Sequence, residues 1–448
     1  MKLLLTHAYF IAEDPKERQI MKPYAPLGLL YISSYLHRQG FDVDIYDSTF
    51  GSKAELFAIL RDGPPATIGL YANLMTRTNA LEIIACAREA GWNVIIGGPE
   101  PANYPEQYLD SGANVVVVGE GELTVEKLLS SSFDRHQWPE IGGLIYRGPD
   151  GGIIRTPAAT LIKDLDAQPW PDRKRIDIDK YLKTWRDFHG KGSVSLITAR
   201  GCPYRCNWCS HSVYGMTHRR RTPTSVVKEI EWILDRYNPE LLWLADDVFT
   251  IHHGWLFEFA AEMKRKRLSI PFECITRADR VNERVAQTLA ELGCFRVWIG
   301  SESGSQRILD AMQRGVSIQQ VRSAVQFCKS NGIQTGMFLM WGYDGEEIED
   351  IEQTVAHAKA CQPDACFTTV SYPIKGTPYF ERVSSRLVMP ENWTKSTDRE
   401  IRIKGRHSRR FYQHADELLR NELLPKPNPA KTLAARIGLR MTRNEVEA

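Results

Sequence analysis

Residues 200–210 of the chain are Arg-Gly-Cys-Pro-Tyr-Arg-Cys-Asn-Trp-Cys-Ser, a stretch with three cysteines inside eight positions. The cysteines are Cys202, Cys206 and Cys209, and the segment directly follows a strand that the apolar pattern predicts over residues 193–198. The three thiols therefore lie on one loop at the carboxyl end of a strand, where they can surround a single metal centre. A structural zinc site normally takes four protein ligands, so three thiolates with one open position favour a 4Fe–4S cluster with one bare iron.

The sequence leaves two other uses of this cysteine group open. His211 could complete a zinc site of three cysteines and one histidine, and two of the thiols could form a disulfide, although disulfides are unusual in the cytoplasm.

The other six of the nine cysteines are scattered through apolar or helical segments, where we expect buried free thiols. They are Cys86, Cys274, Cys294, Cys328, Cys361 and Cys366.

Length and composition indicate an ordinary globular protein. The chain has 448 residues, enough for several domains at roughly 150 residues each. Hydrophobic residues make up 43% and charged residues 25%, and the net charge of +2 favours neither nucleic acid nor an anionic membrane as a partner. The apolar runs are far shorter than the roughly 20 residues of a membrane span. The first residues predict a β-strand and not a signal peptide, so we expect a cytoplasmic protein.

Residues 1–130 alternate between short apolar runs and amphipathic segments. The segments over 26–39 and 76–90 predict helices, because each is closed by a glycine just past its end. Strands that alternate with helices predict a doubly wound parallel sheet. The predicted strands cover residues 2–6, 42–46, 67–71, 93–96 and 114–118.

Three further regions follow. Residues 131–190 predict a connector with a β-hairpin that turns at Pro149-Asp-Gly, and residues 385–448 predict a small helical C-terminal region. In between, residues 191–384 repeat the strand–helix unit six times, which predicts a partial (β/α)6 barrel with its reactive groups at the carboxyl ends of the strands. Its predicted strands cover residues 193–198, 241–245, 271–275, 295–299, 335–340 and 365–371, and Ser317 is a predicted helix N-cap.

The cysteine motif, with three residues between the first pair, two between the second and an aromatic residue before the last cysteine, resembles that of the radical S-adenosylmethionine (SAM) enzymes. The resemblance implies that the bare iron chelates the amino and carboxylate groups of SAM, and that an electron from the cluster cleaves SAM to a 5′-deoxyadenosyl radical. It also implies a set of SAM-contacting candidates on the loop and at the strand ends. These are Tyr204, Trp208, Asp246, Asp247, Arg277 and Glu302. Two alternatives stay open: Arg277 could pair with Asp279, and Glu302 could cap the helix that follows it.

The order of the N-terminal motifs extends the resemblance to the cobalamin-binding radical SAM proteins over roughly residues 1–380. Gly97-Gly-Pro and Gly119-Glu-Gly-Glu end two predicted strands, and ligands of doubly wound sheets bind at such ends. The candidates for the cobalamin rim are Asn73, Gly98, Pro99, Gly119 and Glu120. The first strand leads to His7 without the Asp and Gly of an Asp-x-His-x-x-Gly motif, so we expect His7 to be a loop residue and not a cobalt ligand.

The resemblance implies a cobalamin-dependent enzyme that methylates an unactivated carbon, or phosphorus, of a small metabolite, with flavodoxin or ferredoxin as electron donor. A radical SAM oxidative cyclase or ring-rearranging enzyme is the alternative within enzymes, and a non-catalytic metal- or cobalamin-binding sensor is the alternative outside them. Cys86 is the only cysteine before Cys202, so the second cluster of the methylthiotransferases is excluded by ligand count.

Overall fold

The computed structural model describes residues 2–448, and the chain divides into two compact units. The first consists of the chain up to Pro203 together with His211–Leu241 and Asn392–Thr397. The second consists of Tyr204–Ser210, Leu242–Glu391 and Asp398–Ala448. Because the segment with the cysteines is distributed over both, each unit is described by itself below.

A seven-stranded sheet in the order β2-β1-β3-β4-β5-β6-β7 forms the centre of the first unit. Its strands are β1 (Lys2–His7), β2 (Asp42–Tyr46), β3 (Thr67–Tyr71), β4 (Asn93–Gly97), β5 (Val115–Val117), β6 (Leu144–Arg147) and β7 (Ile153–Arg155). Strands β1 to β5 are parallel, which confirms the predicted doubly wound sheet. The predicted hairpin is β6 and β7, and it extends this sheet through antiparallel pairing with β5.

Helices cover both faces of this sheet, so its strands are apolar on both sides. The helices are α1 (Pro15–Ile20), α2 (Leu27–Arg38), α3 (Lys53–Asp62), α4 (Arg77–Glu89), α5 (Pro105–Asp110) and α6 (Gly121–Ser130). Ile95 and Ile96 are neighbours in β4, yet their side chains belong to separate cores on the two faces, as the two-residue period of a strand requires. A continuous apolar run is the expected pattern for a parallel strand buried on both faces.

The second large sheet has six strands in the order β15-β14-β13-β12-β11-β8. They are β8 (Ser193–Leu196), β11 (Leu241–Leu244), β12 (Phe272–Thr276), β13 (Cys294–Glu302), β14 (Gln334–Trp341) and β15 (Ala365–Val370), and β11 to β15 are parallel. The helices between these strands are α8 (Pro223–Tyr237), α9 (His253–Arg265), α10 (Glu283–Glu291), α11 (Gln306–Ala311), α12 (Ile318–Ser330) and α13 (Ile348–Cys361). Helix α7 (Ile178–His189) precedes β8, and α14 (Pro378–Val383) follows β15. Ser317 caps α12 as predicted, through a capping box with Gln320.

Two short antiparallel pairs and two helices complete the chain. The pairs are β9 (Ala199–Arg200) with β10 (Arg219–Arg220), and β16 (Leu387–Val388) with β17 (Arg402–Ile403). The C-terminal helices are α15 (Arg409–Glu422) and α16 (Pro429–Thr442). Within residues 2–448, no helix combines the length and the apolar character that crossing a membrane requires.

Candidate active site

The base of the cysteine loop is an antiparallel pair of two-residue strands. Arg219 pairs with Arg200 across β9 and β10, so the chain leaves and returns to the loop at the same place. Gly201 has a positive φ of 85°, and a side chain there would clash with the carbonyl oxygen of Thr217. The glycine that precedes Cys202 is therefore required by the turn itself.

Buried ion pairs join this base to the turn between β5 and α6. Arg200 donates to Glu120 at 2.9 Å and to Glu122 at 2.6 Å, and Arg219 donates to the other oxygen of Glu120 at 2.8 Å. Burial acts to raise the pKa of Glu120, but the hydrogen bonds from Arg219 and Arg200 outweigh it and hold the pKa below its usual value. Glu120 also accepts from the backbone N–H of Ile162 at 2.9 Å, so its carboxylate is occupied by protein donors.

The tip of the loop is held within the second unit by Asn207, a residue that the sequence did not single out. Its amide nitrogen donates to the carbonyl of Ala311 at 2.9 Å, and its side-chain oxygen accepts from the Tyr343 hydroxyl at 2.7 Å. Its backbone N–H donates to the carbonyl of Met312, and its own carbonyl accepts from the N–H of Tyr379. These four bonds fix the backbone between Cys206 and Cys209.

Cationic side chains lie beside the buried cysteine. Arg314 and Arg277 donate to Cys206 Sγ at 3.5 and 3.7 Å. Both guanidinium groups place positive charge beside this sulfur atom. Cys202 is partly exposed and Cys209 is exposed, and none of the nine cysteines, all of which lie within residues 2–448, forms a disulfide. Arg314 was not among the predicted site residues.

Between residues 2 and 448, no three His, Cys, Asp or Glu side chains converge closely enough to hold one metal ion. A 4Fe–4S cube does not require such convergence, because each thiolate binds a different iron atom. The assignment of Cys202, Cys206 and Cys209 as cluster ligands stays a prediction.

Arg277 contacts both Asp279 and the cysteine loop. Its Nε donates to Asp279 at 2.9 Å, which is the pair considered from the sequence. The same guanidinium group lies 3.7 Å from the centre of the Tyr204 ring and donates to the carbonyl of Arg314 at 2.8 Å. Pairing with Asp279 therefore orients Arg277 toward the loop without removing it from the site.

Glu302 lies at the carboxyl end of β13 with a positive φ of 62°, beside a register shift in the pairing with β14. Burial raises the pKa of its carboxyl group, and the nearby Arg314 and Arg277 act in the opposite direction. The Arg314 Nε lies 3.8 Å from Glu302 Oε1. The N-cap of α11 is Ser305, so Glu302 does not serve as its N-cap.

The remaining SAM candidates divide between the strand end and the apolar core. Asp246 and Asp247 follow β11 after one intervening residue, Ala245; Asp246 is buried and Asp247 is exposed. Trp208 packs against an apolar cluster that includes Met312 and Tyr343. Packing thus accounts for Trp208, while the two aspartates lie at the strand end where the sequence placed them.

A cavity of about 340 Å³ lies at the carboxyl ends of β3, β4 and β5 in the first unit. Gly98, Gly119 and Glu120 line it, in agreement with the predicted rim, whereas Asn73 and Pro99 do not. Gly98 has a φ of 111°, and a side chain there would clash with the carbonyl oxygen of Ala72. The cavity wall is mainly apolar, with glycine at the strand ends, so a ligand can approach the backbone closely.

Two polar residues near these strand ends are occupied by local contacts. Asn73 accepts from the backbone N–H of Met75 at 2.9 Å, so its side chain builds a turn. His7 contacts Asp47 through Nε2 at 3.0 Å, and its Nδ1 accepts from the N–H of Tyr9 at 3.3 Å. Both ring nitrogens are engaged in local contacts. His7 is the last residue of β1, so the prediction that it is a loop residue was wrong.

Two family models match successive parts of the chain. Residues 20–129 match the B12 binding domain, and residues 196–358 match the radical SAM superfamily. An uncharacterized methyltransferase of Pyrococcus horikoshii is 30% identical over 394 residues, which cover 85% of this chain and 83% of that protein. The anaerobic magnesium-protoporphyrin IX monomethyl ester cyclase of Rubrivivax gelatinosus is 26% identical, covering 82% of this chain and 68% of the cyclase.

A solved structure shows the same fold. The radical SAM methyltransferase TsrM from Kitasatospora setae, with cobalamin and a 4Fe–4S cluster bound, superimposes with a TM-score of 0.71 at 21% identity, covering 86% of this chain and 74% of TsrM. Fold, cysteine loop and strand-end cavity thus define a radical enzyme with an added ligand-binding sheet domain. The chain belongs to the radical SAM superfamily, and a B12 binding domain precedes the radical SAM domain in the sequence.

Proposed function

We propose that this protein is a cobalamin-dependent radical SAM methyltransferase that methylates an unactivated carbon, or phosphorus, of a small metabolite. The observation that carries the proposal is the presence of a B12 binding domain and a radical SAM barrel in one chain that is 30% identical to a methyltransferase over most of its length. When bound, the cluster and SAM supply a 5′-deoxyadenosyl radical, and cobalamin supplies a cobalt that carries methyl groups.

The residues of the chain have distinct parts in this proposal. Cys202, Cys206 and Cys209 hold the cluster, and the guanidinium groups of Arg277 and Arg314 donate to Cys206 Sγ at 3.7 and 3.5 Å. Both cations also suit an anionic ligand beside the loop, such as the carboxylate of SAM.

The first unit would bind cobalamin. Its cavity of about 340 Å³ has a mainly apolar wall, which suits an apolar portion of a corrinoid. Gly98 and Gly119 allow close approach of that portion to the strand ends. His7 is engaged by Asp47 and Tyr9, so the lower face of the cobalt would have no imidazole from this position.

An electron donor of the flavodoxin or ferredoxin type and a cytoplasmic location belong to the same proposal. None of the nine cysteines, all of which lie in the described part of the chain, forms a disulfide, and nine thiols suit a reducing compartment. A low-potential donor is required because the cluster must be reduced before SAM can be cleaved.

Anaerobic reconstitution with iron and sulfide tests the cluster assignment. We expect absorbance at about 400 nm from iron–sulfur charge transfer and reductive cleavage of SAM. The Cys206→Ala variant should lose both signals. Cys86→Ala is the matched control, since Cys86 is also buried but lies in α4. Activity that survives in Cys206→Ala would show that the assignment is wrong.

Product analysis separates methyl transfer from the alternatives. With labelled SAM and candidate pathway intermediates, a methyltransferase leaves S-adenosylhomocysteine as well as 5′-deoxyadenosine. An oxidative cyclase, a possibility that the 26% identity to the Rubrivivax cyclase supports, leaves only 5′-deoxyadenosine. A sensor without catalytic activity would bind its ligands but cleave no SAM.

A further inference from the structure

Three aromatic side chains stack on neighbouring strands of the second unit. Trp298 of β13 lies 5.3 Å from Phe338 of β14 and 5.1 Å from Phe367 of β15, measured between ring centres. The interplanar angles are 19° and 17°, so the three rings are nearly parallel. We call Trp298, Phe338 and Phe367 the aromatic platform.

The orientation of the platform is fixed by polar and steric contacts. The indole N–H of Trp298 donates to the buried Glu273 at 2.9 Å. Gly336 lies beside Trp298 in the register of β13 and β14, and a Cβ at this glycine would clash with the indole ring. The ring therefore lies flat over β14 because position 336 has no side chain and because Glu273 holds the indole nitrogen.

The platform remains accessible although Trp298 is almost fully buried. Trp298 is 7% exposed, whereas Phe367 at the other side of the stack is 56% exposed. Large aromatic side chains in a strand usually gain stability by burial, at about 25 cal/mol for each Å² of apolar surface. An ordered stack with an open ring at its edge is the arrangement expected of a surface that receives another flat ring.

Strand register places the platform on the same sheet face as the candidate site. Gly300 pairs with Phe338, and Phe338 pairs with Phe367, so side chains at these three positions point to one face. A Cβ at Gly300 would lie 2.6 Å from Arg314 Nη2 and 2.7 Å from Glu302 Oε1. Arg314 in turn donates to Cys206 Sγ, so the platform adjoins the groups that surround the buried cysteine.

We propose that the aromatic platform binds a planar, conjugated ring of the acceptor substrate and so sets the substrate class. This inference rests on the proposed function, because it assumes that an acceptor binds beside the cysteine loop. A flat aromatic ring stacks on Phe367 and the rings behind it and gains the energy of an aromatic pair, whereas a saturated ring system of the same size has no π-system and gains only from its buried area. Arg314 and Glu302 then lie at the edge of the bound ring, where they can orient its polar substituents.

A pair of probes of equal charge and carbon skeleton tests the platform. Binding of naphthalene-2-carboxylate and of decahydronaphthalene-2-carboxylate to the reconstituted full-length protein is measured by calorimetry. We expect the planar probe to bind more tightly and Phe367→Leu to reduce this preference roughly three- to tenfold, since an aromatic pair contributes beyond its buried area. Phe188→Leu is the matched control, because Phe188 of α7 is also 56% exposed, and it should keep the full preference.

A second variant perturbs the platform through Trp298 and leaves Phe367 itself unchanged. Gly336→Ala introduces a methyl group into the space of the Trp298 ring and should reduce the preference without touching Phe367. An equal affinity of the wild type for both probes, a preference retained in Phe367→Leu, or a preference lost in Phe188→Leu would each overturn the proposal. SAM cleavage is measured in parallel; its absence from the wild type would refute the proposed function, while the probe preference would still report on the platform.

Discussion

Replacing Arg200 with methionine should destabilise the first unit strongly. The guanidinium group of Arg200 is 4% exposed and donates to Glu120 at 2.9 Å and to Glu122 at 2.6 Å. Methionine keeps most of the side-chain length but has no donor. Glu120 retains Arg219 at 2.8 Å, whereas Glu122 loses its buried cationic partner.

The size of the effect follows from this difference between the two carboxylates. Removing one partner of a buried ion pair costs about 3–5 kcal/mol, because the remaining charge stays buried without compensation. The first unit also offers a matched control on its surface. Arg147 and Asp110 form an ion pair with side chains 37% and 61% exposed, and Arg147→Met should cost no more than about 1 kcal/mol.

Urea unfolding of the anaerobic apoprotein, followed by circular dichroism, measures both variants. The double variant Arg200→Met, Glu122→Leu removes the unpaired carboxylate, so we expect it to recover more than half of the loss seen in Arg200→Met. A loss below about 1 kcal/mol in Arg200→Met, or a double variant no more stable than the single one, would refute the argument that burial makes this pair important.

Two further substitutions test the cavity and a buried carboxyl group. Gly98→Ala should weaken cobalamin binding at least tenfold in equilibrium dialysis, since the new methyl group meets the carbonyl of Ala72 and the backbone has a φ of 111°; unchanged binding would exclude this cavity as the site. Burial raises the pKa of Glu346 from 4.5 to about 8, so the folded protein keeps the proton that the unfolded chain releases above 4.5. Stability should therefore fall as pH rises from 4.5 toward 8, by up to about 1.4 kcal/mol per pH unit. Glu346→Gln, whose amide oxygen still accepts from the Gly342 N–H, should flatten this slope in urea midpoints measured at pH 5 and pH 8; a slope equal to that of the wild type would contradict the raised pKa.

The strands were the most predictable part of the fold. The predicted strands over 42–46 and 67–71 agree with β2 and β3 to the residue, and the others differ by one to three residues at their ends. Apolar runs in parallel sheets are bounded by glycine and polar residues, so the pattern marks both the strand and its limits. The hairpin was predicted too, but not its pairing with β5, because pairing depends on the position of distant segments.

The candidate site was predictable only where its residues form a local motif. The three cysteines stand within eight positions, so spacing alone singles them out. Asn207 lies between two of them, but nothing in the sequence indicates that it bonds to Ala311 and Tyr343. The residues predicted for a cobalamin rim show the same limit: three of the five line the cavity at the strand ends, while Asn73 and Pro99 follow the same strands without lining it. Their contact with cobalamin stays a prediction.

Arg314 lies far from the cysteine motif in the sequence, yet its side chain lies beside Cys206 in the structure. Its guanidinium group donates to the carbonyl of Gly300 at 3.0 Å, and its own carbonyl accepts from Arg277 at 2.8 Å. Each arginine beside Cys206 is thus held by backbone atoms of a different segment, and neither depends on the thiol for its orientation. Two cations positioned in this way form a preorganised positive site, which suits an anionic group such as a carboxylate with little reorganisation. Glu302 Oε1 lies 3.8 Å from Arg314 Nε, so an acidic side chain borders this positive site.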